Sequence, residues 1–469
     1  HGAPKRARPV VRCRAMTLFR TSIAALPFLL SACAEPAPAC PEPPAPTVGV
    51  TEVVATEPEA PPEAPDNRVV VLDGTPEVPD SLHRRLQQYS NTRAASLSSL
   101  AADGRSALIA TRFGETRQLH LVTQPLGART QVTFNDEPVR GASLVPGHPN
   151  DVLYMSDIGG SEDHQIFRLD RSTGQAAMWT DGEHKHGHMI VSHDGAQIAY
   201  SGNARNGTDM DIHVRAYGPD AEAVRFDREG YWYPLDFSRD GKKLLVGHYV
   251  SIMDSRVWLL DLETRAFTRL TPETPNAYED ARFGADGRTV YVLTDRDGEF
   301  RQLHSLDSNA PTEPWRALSG DIPWNVSEMS LSADGRTLAF VTNEDGYGVL
   351  RLLDTRTRRN RIARNIPKGL VSGLHWAADA PVLGFTLAGA TETGDVYTYA
   401  ARRSRPTRWT ASEVGGLDTS HLGEPEPIHY PTFHHRASPA LLYAPARPRR
   451  DHPLPGLLSI HHDPSATPT

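Results

Sequence analysis

Three histidines occupy alternate positions in the segment His184-Lys185-His186-Gly187-His188. Successive side chains of a β-strand point to opposite faces, so a strand here would place the three imidazoles on one face. Imidazole nitrogens grouped in this way can bind zinc or copper. A polar loop or strand edge is the alternative interpretation. The three histidines are therefore candidate metal ligands, and the sequence predicts no cofactor.

The overall composition argues against a nucleic-acid partner. The 469 residues carry a formal net charge of -8, and the basic residues are scattered rather than arranged in a stripe that could follow a phosphate backbone. The three cysteines, Cys13, Cys33 and Cys40, all lie near the amino terminus. The remainder of the chain must therefore fold through packing and strand pairing, without disulfide bonds.

The amino-terminal region carries processing signals. Residues 1–15 lack an initial Met, and we interpret them as a leader or an expression remnant. Residues 16–33 combine a basic residue, a short apolar stretch and a small residue before Cys33, which is similar to a bacterial lipoprotein signal peptide. Cys33 is the expected lipidation site, and an ordinary signal-peptidase site is the alternative.

Residues 34–67 are rich in proline, glutamate and alanine, which predicts an extended, disordered linker. Ala34 follows the candidate lipidation site, where a residue other than aspartate is typical of lipoproteins sorted to the outer membrane. The preceding apolar stretch is too short to span a bilayer. We therefore expect an exported, periplasmic protein that contacts the membrane only through a lipid anchor.

An Asp-Gly pair recurs at intervals of about 46 residues along the rest of the chain. The pairs are Asp103-Gly104, Asp194-Gly195, Asp240-Gly241, Asp286-Gly287 and Asp334-Gly335, with degenerate copies at Asn150-Asp151 and Asp379-Ala380. Glycine adopts a positive φ angle without steric cost and aspartate tolerates one, so each pair predicts a tight β-hairpin. The interval matches a four-stranded propeller blade.

Runs of β-branched and aromatic residues follow each hairpin, as strands packed between blades require. Seven repeat units predict an all-β propeller of about seven four-stranded blades, eight being possible, over residues 68–425. A short capped helix is predicted over Pro79–Tyr89, with Leu82, Leu86 and Tyr89 packing on one face. Five tryptophans are interpreted as packing between blades, with an aromatic cage as the alternative: Trp232, Trp258, Trp324, Trp376 and Trp409.

The repeats resemble the WD-type propeller repeats of TolB-like proteins and of the prolyl oligopeptidase family of serine peptidases. Segments such as Asn91–Ser96, Thr111–Glu115, Asp157–Gly160 and Arg408–Leu417 favour the peptidase family. Enzymes of this family continue after the propeller into a linking segment and an α/β-hydrolase domain. Residues 426–469 resemble that link and the first hydrolase strand, which normally runs into His-Gly-Gly-Pro.

The sequence departs from the family pattern where the hydrolase domain would begin. His461-His462-Asp463-Pro464 stands in place of His-Gly-Gly-Pro, and the sequence ends at Thr469. A hydrolase of this fold needs Gly-x-Ser-x-Gly followed by Asp and His, and the nearest segment, Gly159–Asp163, lacks the second glycine. We therefore assign no catalytic residue, and we expect a propeller truncated before its catalytic domain, without hydrolase activity of its own.

Glu162 and Asp163 become candidate substrate-binding residues through this resemblance, because acidic propeller residues can hold a substrate amino terminus in its dipeptidyl branch. Solvated loop carboxylates are the alternative interpretation. The resemblance implies a propeller that covers an active site and admits short peptides. A stand-alone TolB-like module that binds an envelope protein is the alternative function, and a propeller glycosidase or lyase is a third.

Overall fold

The computed structural model describes residues 73–400, 404–433, 437–444 and 456–459. The chain divides into two compact units, His1–Thr75 and Pro76–Thr469. Only residues 73–75 of the first unit are described, so the predicted signal peptide with Cys33 and the 34–67 linker lie outside the described residues. Within the described ranges, no helix is long and apolar enough to cross a bilayer.

Within the described residues, the second unit forms a propeller of seven blades, each a four-stranded antiparallel sheet of consecutive strands. A helix, α1 (Asp80–Ser90), and a short strand, β1 (Thr92–Arg93), precede the blades. Blade 1 contains β2 (Ala95–Leu100), β3 (Ala107–Thr111), β4 (Gln118–Val122) and β5 (Thr130–Gln131). Blade 2 contains β6 (Arg140–Val145), β7 (His148–Ser156), β8 (Gln165–Asp170) and β9 (Gln175–Met178). Blade 3 contains β10 (His186–Val191), β11 (Gln197–Gly202), β12 (Asp211–Ala216) and β13 (Ala223–Phe226).

Blade 4 contains β14 (Tyr231–Phe237), β15 (Lys243–Ser251), β16 (Asp254–Asp261) and β17 (Phe267–Arg269), and blade 5 contains β18 (Tyr278–Phe283), β19 (Thr289–Thr294), β20 (Gln302–Asp307) and β21 (Arg316–Ala317). Blade 6 contains β22 (Val326–Leu331), β23 (Thr337–Glu344), β24 (Tyr347–Asp354) and β25 (Arg359–Ile362). Blade 7 contains β26 (Leu370–Trp376), β27 (Val382–Ala388), β28 (Asp395–Ala400) and β29 (Arg405–Arg408). Blade 7 is followed by β30 (Glu413–Val414), a 3-10 helix (Thr419–His421), and a hairpin of β31 (Glu426–Pro431) and β32 (Ala437–Leu442).

The second strand of each blade carries much of the core. Every residue of β3 is buried, and all of β11 except Gln197 is buried. Neighbouring blades cover both faces of such strands, which explains their continuous apolar runs. Three of the five tryptophans, Trp232, Trp376 and Trp409, are buried, and the other two pack against core clusters, in agreement with the packing interpretation.

The predicted Asp-Gly hairpins are confirmed. All five pairs connect the first and second strands of a blade, with glycine φ angles from 64° to 73°. In blade 4, Asp240 Oδ1 accepts hydrogen bonds from the Lys242 N–H at 3.1 Å and from the Ser238 hydroxyl at 2.6 Å, which closes the turn. The predicted all-β propeller of about seven four-stranded blades is also confirmed.

Blade 7 packs directly against blade 1, and no strand is exchanged between them among the described residues. The Leu97 N–H donates to Thr386 Oγ1 at 2.9 Å, and the Ala95 N–H donates to the Gly394 carbonyl at 3.0 Å. Outside the blades, β1 pairs with β30. The ring is therefore closed by packing and by a small set of hydrogen bonds.

Antiparallel pairing gives the propeller two distinct faces. The hairpins between first and second strands, with the Asp-Gly turns, lie at one end of every blade, and we call this end the Asp-Gly face. The hairpins between second and third strands and the connections between blades lie at the other end, the link face. The β31–β32 hairpin contacts the link face at blade 6, where His429 Nε2 lies 3.0 Å from Asp345 Oδ1 and the Tyr347 hydroxyl donates to the Pro425 carbonyl at 3.1 Å.

The predicted helix is present as α1, but two expectations about it are wrong. The helix begins after Pro79, and no side chain caps its first turn. Leu82, Leu86 and Tyr89 are exposed, and no residue of α1 is buried. The spacing of the apolar residues indicated the helical period correctly, but it could not show whether a neighbouring element covers that face.

Candidate functional site: the channel and the link face

The first strands of the seven blades form a ring around a central channel, because each contacts the first strand of the next blade. Where the channel meets the Asp-Gly face, it includes a cavity of about 680 Å³. Six blades contribute residues to the cavity wall, including Leu100, Val145, His193, Arg239, Leu331 and Trp376. A partly apolar cavity of this volume is large enough for a small organic ligand or part of a peptide.

Arg239 spans part of the channel mouth on the Asp-Gly face. It follows β14 in blade 4, and its Nη2 donates to the Ser332 carbonyl of blade 6 at 3.3 Å, past the hairpin of blade 5. Near the opposite wall, Ser99 Oγ of blade 1 lies 3.4 Å from His375 Nε2 of blade 7. Burial lowers the pKa of His375 to about 4, so this imidazole is neutral at pH 7.

Two carboxylates connect neighbouring first strands along the channel wall. Asp236 Oδ2 of blade 4 accepts the Phe283 N–H of blade 5 at 2.8 Å. Glu328 of blade 6 accepts the N–H groups of Gly373 and Leu374 of blade 7 at 2.9 and 2.6 Å. These side chains therefore satisfy backbone donors at the inner edges of the sheets, where no further strand can pair.

Arg282 is the guanidinium group that accompanies these carboxylates. Its Nη2 lies 3.2 Å from Asp280 Oδ1, and its Nη1 donates to the Leu235 carbonyl. Burial raises the pKa values of Asp236, Asp280 and Glu328, and Arg282 opposes the rise at all three carboxyl groups. Three carboxylates thus share one guanidinium, which leaves a surplus of negative charge here when all are ionised.

A second cavity, of about 610 Å³, opens on the link face over blades 3 to 5, and we call it the aromatic cavity. His188 of β10, Tyr231 and Tyr233 of β14, and Tyr249 of β15 line it. The Tyr231 ring centroid lies 6.2 Å from that of Tyr233 and 6.4 Å from that of Tyr249, with interplanar angles of 56° and 78°. Rings inclined in this way leave aromatic faces that a ligand can contact.

Gly247 provides the space for one wall of the aromatic cavity. A Cβ atom on Gly247 would lie 2.3 Å from Tyr233 Cζ, so any larger residue would displace that ring. Burial, together with the negative charges of Asp280 and Glu279, raises the pKa of Tyr233 to about 12. Glu279 itself lines the cavity and forms an ion pair with Arg301. The aromatic wall therefore lies in the field of acidic side chains from β18.

The link face also carries a set of exposed apolar side chains. Ile252 and Met253, at the tip of the β15–β16 hairpin, are 64% and 66% exposed. Other apolar side chains in equivalent hairpins, in a blade connection and in the β31–β32 hairpin are between 37% and 77% exposed: Phe113, Ile158, Phe300, Phe134, Ile428 and Tyr430. Apolar groups collected on one surface indicate an interaction site.

Leu457 and Leu458 fall in the segment predicted as the first hydrolase strand. They belong to no strand in the structure, and they are 99% and 80% exposed.

Glu162 and Asp163 lie in the β7–β8 hairpin of blade 2, on the link face. Glu162 is exposed with a φ angle of 62°, and its N–H donates to Asp157 Oδ2 at 3.0 Å. The Asp163 N–H donates to Ser161 Oγ at 3.2 Å. Both acids are thus fixed on the link face, in a different blade from the aromatic cavity, and their role in substrate binding stays a prediction.

Two of the three candidate metal ligands, His184 and His188, contact separate groups. β10 begins at His186, so His184 precedes it, and a register shift after Gly187 with a φ angle of 50° at His188 breaks the alternation. His184 Nδ1 lies 2.9 Å from Asp181 Oδ2, and His188 Nε2 lies 3.1 Å from the Tyr231 hydroxyl. The alternation on which a shared face depends is therefore absent. In the described part of the chain, no three ligand side chains are grouped as a metal site.

Sequence reasoning did not find the aromatic cavity. Tyr231, Tyr233 and Tyr249 come from two strands and Glu279 from a third, so no local window brings them together. The available signal was the Tyr231-Trp232-Tyr233 run followed one strand later by Tyr249, because Tyr231 and Tyr249 are direct cross-strand partners.

No protein-family model and no curated protein matches the sequence. Solved structures do match, and one from a study of two prolyl endopeptidases aligns with a TM-score of 0.63 and 15% identity, covering 77% of this chain and 55% of that chain. Prolyl oligopeptidase B from Galerina marginata without ligand aligns with a TM-score of 0.60 and 13% identity, covering 77% of this chain and 56% of that chain. The same enzyme bound to a 25mer macrocyclization substrate gives a TM-score of 0.61 and 14% identity, with the same coverage.

The chain therefore spans about 55% of the length of the enzymes that it matches. At 13–15% identity the likeness is one of fold. The seven four-stranded blades and these alignments together show that the chain has the fold of the β-propeller of prolyl oligopeptidases.

Proposed function

We propose that this chain is the substrate-gating propeller of an exported serine peptidase of the prolyl oligopeptidase type. The observation that carries the proposal is the link face. The chain enters the propeller at the start of β2 and leaves it after β29, and both points lie on this face. The β31–β32 hairpin and the exposed apolar hairpin tips lie there too, as expected of a surface that another domain covers. The likeness of fold to prolyl oligopeptidases supports an α/β-hydrolase as that neighbouring domain.

The propeller contributes selection and contacts rather than bond cleavage. The sequence contains no Gly-x-Ser-x-Gly segment, and Ser161, in the nearest match, is exposed in a hairpin where its Oγ accepts a backbone N–H. A channel narrowed by Arg239 on the Asp-Gly face excludes folded proteins by size. Short, unfolded peptides are the substrates that such a barrier admits.

Export and anchoring belong to the same proposal. Cys33 is the lipid attachment site, and residues 34–67 are a proline-rich linker between the anchor and the propeller. A Cys33→Ala variant produced in a bacterial host is expected to fractionate with soluble periplasmic proteins, and the parent chain with membranes. Identical fractionation of the two proteins would contradict the assignment of Cys33.

Peptide binding by the purified chain tests the proposed role. Fluorescent unstructured peptides are titrated by anisotropy beside a labelled folded protein, and a fluorophosphonate probe reports any reactive serine. We expect saturable peptide binding, no binding of the folded protein and no labelling. Stable labelling would contradict the non-catalytic role. Stoichiometric capture of one folded envelope protein, with no peptide binding, would instead favour a stand-alone TolB-like module.

A further inference from the structure

The aromatic cavity has walls suited to an organic cation. Tyr231 and Tyr249 are 38% and 47% exposed, so parts of both rings are accessible at the cavity mouth. The ring face of a tyrosine attracts ammonium and guanidinium groups through its quadrupole. The His188 ring is tilted against Tyr233 at a centroid distance of 4.8 Å and adds a further ring to the lining.

The charges around the base of this cavity favour the same ligand. Glu279 and Arg282 line the cavity, and Asp280 lies between them in β18. Arg282 is already paired with Asp280 at 3.2 Å, and Glu279 is paired with Arg301. The charges of Asp280 and Glu279 act on the Tyr233 ring, which lines the cavity, so a cation held against that ring lies in their field.

We propose that the aromatic cavity binds the cationic group of a basic peptide, held against Tyr231, Tyr233 and Tyr249 with Glu279 beside it. This inference rests on the proposed peptide-handling role of the propeller, and it names the substrate class of the link face. A volume of about 610 Å³ exceeds what one lysine or arginine side chain needs, so part of the peptide backbone can enter with the cation.

Three peptides that differ only in their charges test the proposal by anisotropy on the full chain. One is amino-terminally acetylated with a central lysine, the second has norleucine in place of that lysine, and the third has norleucine with a free amino terminus. We expect the lysine peptide to bind about tenfold more tightly than the acetylated norleucine peptide. Preferential binding of the free amino terminus alone would assign the same cation site to the peptide end.

Substitutions locate the preference in the aromatic cavity. Tyr231→Leu removes an aromatic face and is expected to weaken lysine-peptide binding about fivefold, whereas Tyr231→Phe keeps the ring and the affinity. Glu279→Gln is expected to weaken binding several-fold. Glu263→Gln, an exposed acid in the β16–β17 turn, is the matched control and is expected to leave binding unchanged.

Two results would separate failure of this inference from failure of the proposed function. Equal binding of all three peptides by the parent chain would overturn the cation site and leave peptide handling intact. Absence of binding by all three peptides would overturn both. The Tyr231→Leu and Glu279→Gln variants could instead keep both the parental circular dichroism spectrum and the full preference for lysine. That result would place the cation site elsewhere and overturn its assignment to the aromatic cavity.

Discussion

The carbonyl oxygen of Pro146 lies 1.9 Å from the position that a Cβ atom on Gly195 would occupy. Gly195 is the glycine of the Asp-Gly turn in blade 3, with a φ angle of 73°, and Pro146 belongs to the corresponding hairpin of blade 2. Glycine at this turn therefore meets two demands, because it accepts a positive φ angle and lets the backbone of the neighbouring blade approach.

Replacing Gly195 with alanine should lower the free energy of unfolding more than the same replacement of Gly287, its equivalent in blade 5. Gly287 has a φ angle of 64°, but nothing lies within 4 Å of its Cβ position, so Gly287→Ala should lower the free energy of unfolding by about 1 kcal/mol. Gly195→Ala adds a clash with a backbone atom and should lower it by about 3 kcal/mol or more. Urea denaturation measures both values, and equal losses would contradict the steric argument.

Asp395 joins the last blade to the segment that follows it, and its neutralisation should destabilise the propeller. It is 1% exposed, its Oδ2 accepts a hydrogen bond from Arg408 at 2.5 Å, and its Oδ1 accepts the hydroxyls of Thr410 and Ser412 at 2.6 and 2.8 Å. Asp395→Asn removes the buried charge of this network and leaves Glu392, at 3.3 Å, as the carboxylate that balances Arg408, so we expect the free energy of unfolding to fall by about 3 kcal/mol in thermal or urea unfolding.

The matched control for Asp395 is Asp307, whose ion pair with Arg288 lies at the surface. Exposed pairs contribute little, so Asp307→Asn should leave the unfolding midpoint unchanged. If both substitutions shift the midpoint equally, burial of the Asp395 network is not the source of its stabilising effect.

Stability should fall as the pH drops from 6.5 towards 4, because of His213. Burial and the neighbouring His186 lower the pKa of His213 from 6.5 to about 4, and Arg225 acts in the same direction while Asp211 opposes it. A lowered pKa means that the folded state prefers the neutral ring. The contribution of His213 is therefore complete above pH 6.5 and is lost as the pH falls through 6.5 towards 4, an effect of about 3 kcal/mol.

His213→Phe tests this pH dependence. The His213 ring stacks on Tyr200 at a centroid distance of 5.0 Å, and phenylalanine keeps a ring there without a titrating nitrogen. Unfolding free energies measured at pH 7 and pH 4.5 should differ less in this variant than in the parent. His375, whose pKa is also lowered to about 4, should account for part of the difference that remains. An unchanged pH dependence would show that His213 does not titrate as described.

The exposed hairpin tip on the link face should make the isolated chain self-associate. Ile252 and Met253 are more than half exposed, so replacing both with aspartate should leave the unfolding free energy nearly unchanged and lower the self-association constant in sedimentation velocity. Leu126→Asp is the control, since Leu126 is 63% exposed but lies outside the link-face hairpins. Equal effects of the two substitutions would argue against a specific apolar surface.

The architecture was predictable from the sequence because the Asp-Gly turns are a local feature with a fixed interval. Each Asp-Gly turn has its glycine at a positive φ angle, and of the two degenerate copies Asp379-Ala380 lies in the β26–β27 hairpin. Asn150-Asp151 was wrong as a turn, because it lies within β7 and the blade 2 hairpin contains Gly147, with a φ angle of 75°. The exposure of Leu82 and Leu86 was not predictable, because periodicity describes a helix and not its neighbours. The arrangement of His184, His186 and His188 could not be predicted, because a bulge in β10 is invisible in the alternation of residue types.

The candidate site was harder to predict from the sequence than the fold, for a related reason. Glu162 and Asp163 could be placed on a loop from their neighbours in sequence, but the aromatic cavity requires Tyr231, Tyr249 and Glu279 to meet from three strands in two blades. Only the cross-strand register of β14 and β15 brings the first two together, and only the packing of blade 5 on blade 4 adds the third.

The central claim is that this propeller serves a peptidase of the prolyl oligopeptidase type, and the native protein tests it most directly. An antibody against the propeller isolates the protein from its source, and hydrolysis of short fluorogenic peptides is compared with hydrolysis of casein. We expect a polypeptide that carries this sequence, is labelled by a fluorophosphonate and cleaves the short peptides but not casein. A native protein that is unlabelled and leaves every peptide intact would contradict the claim.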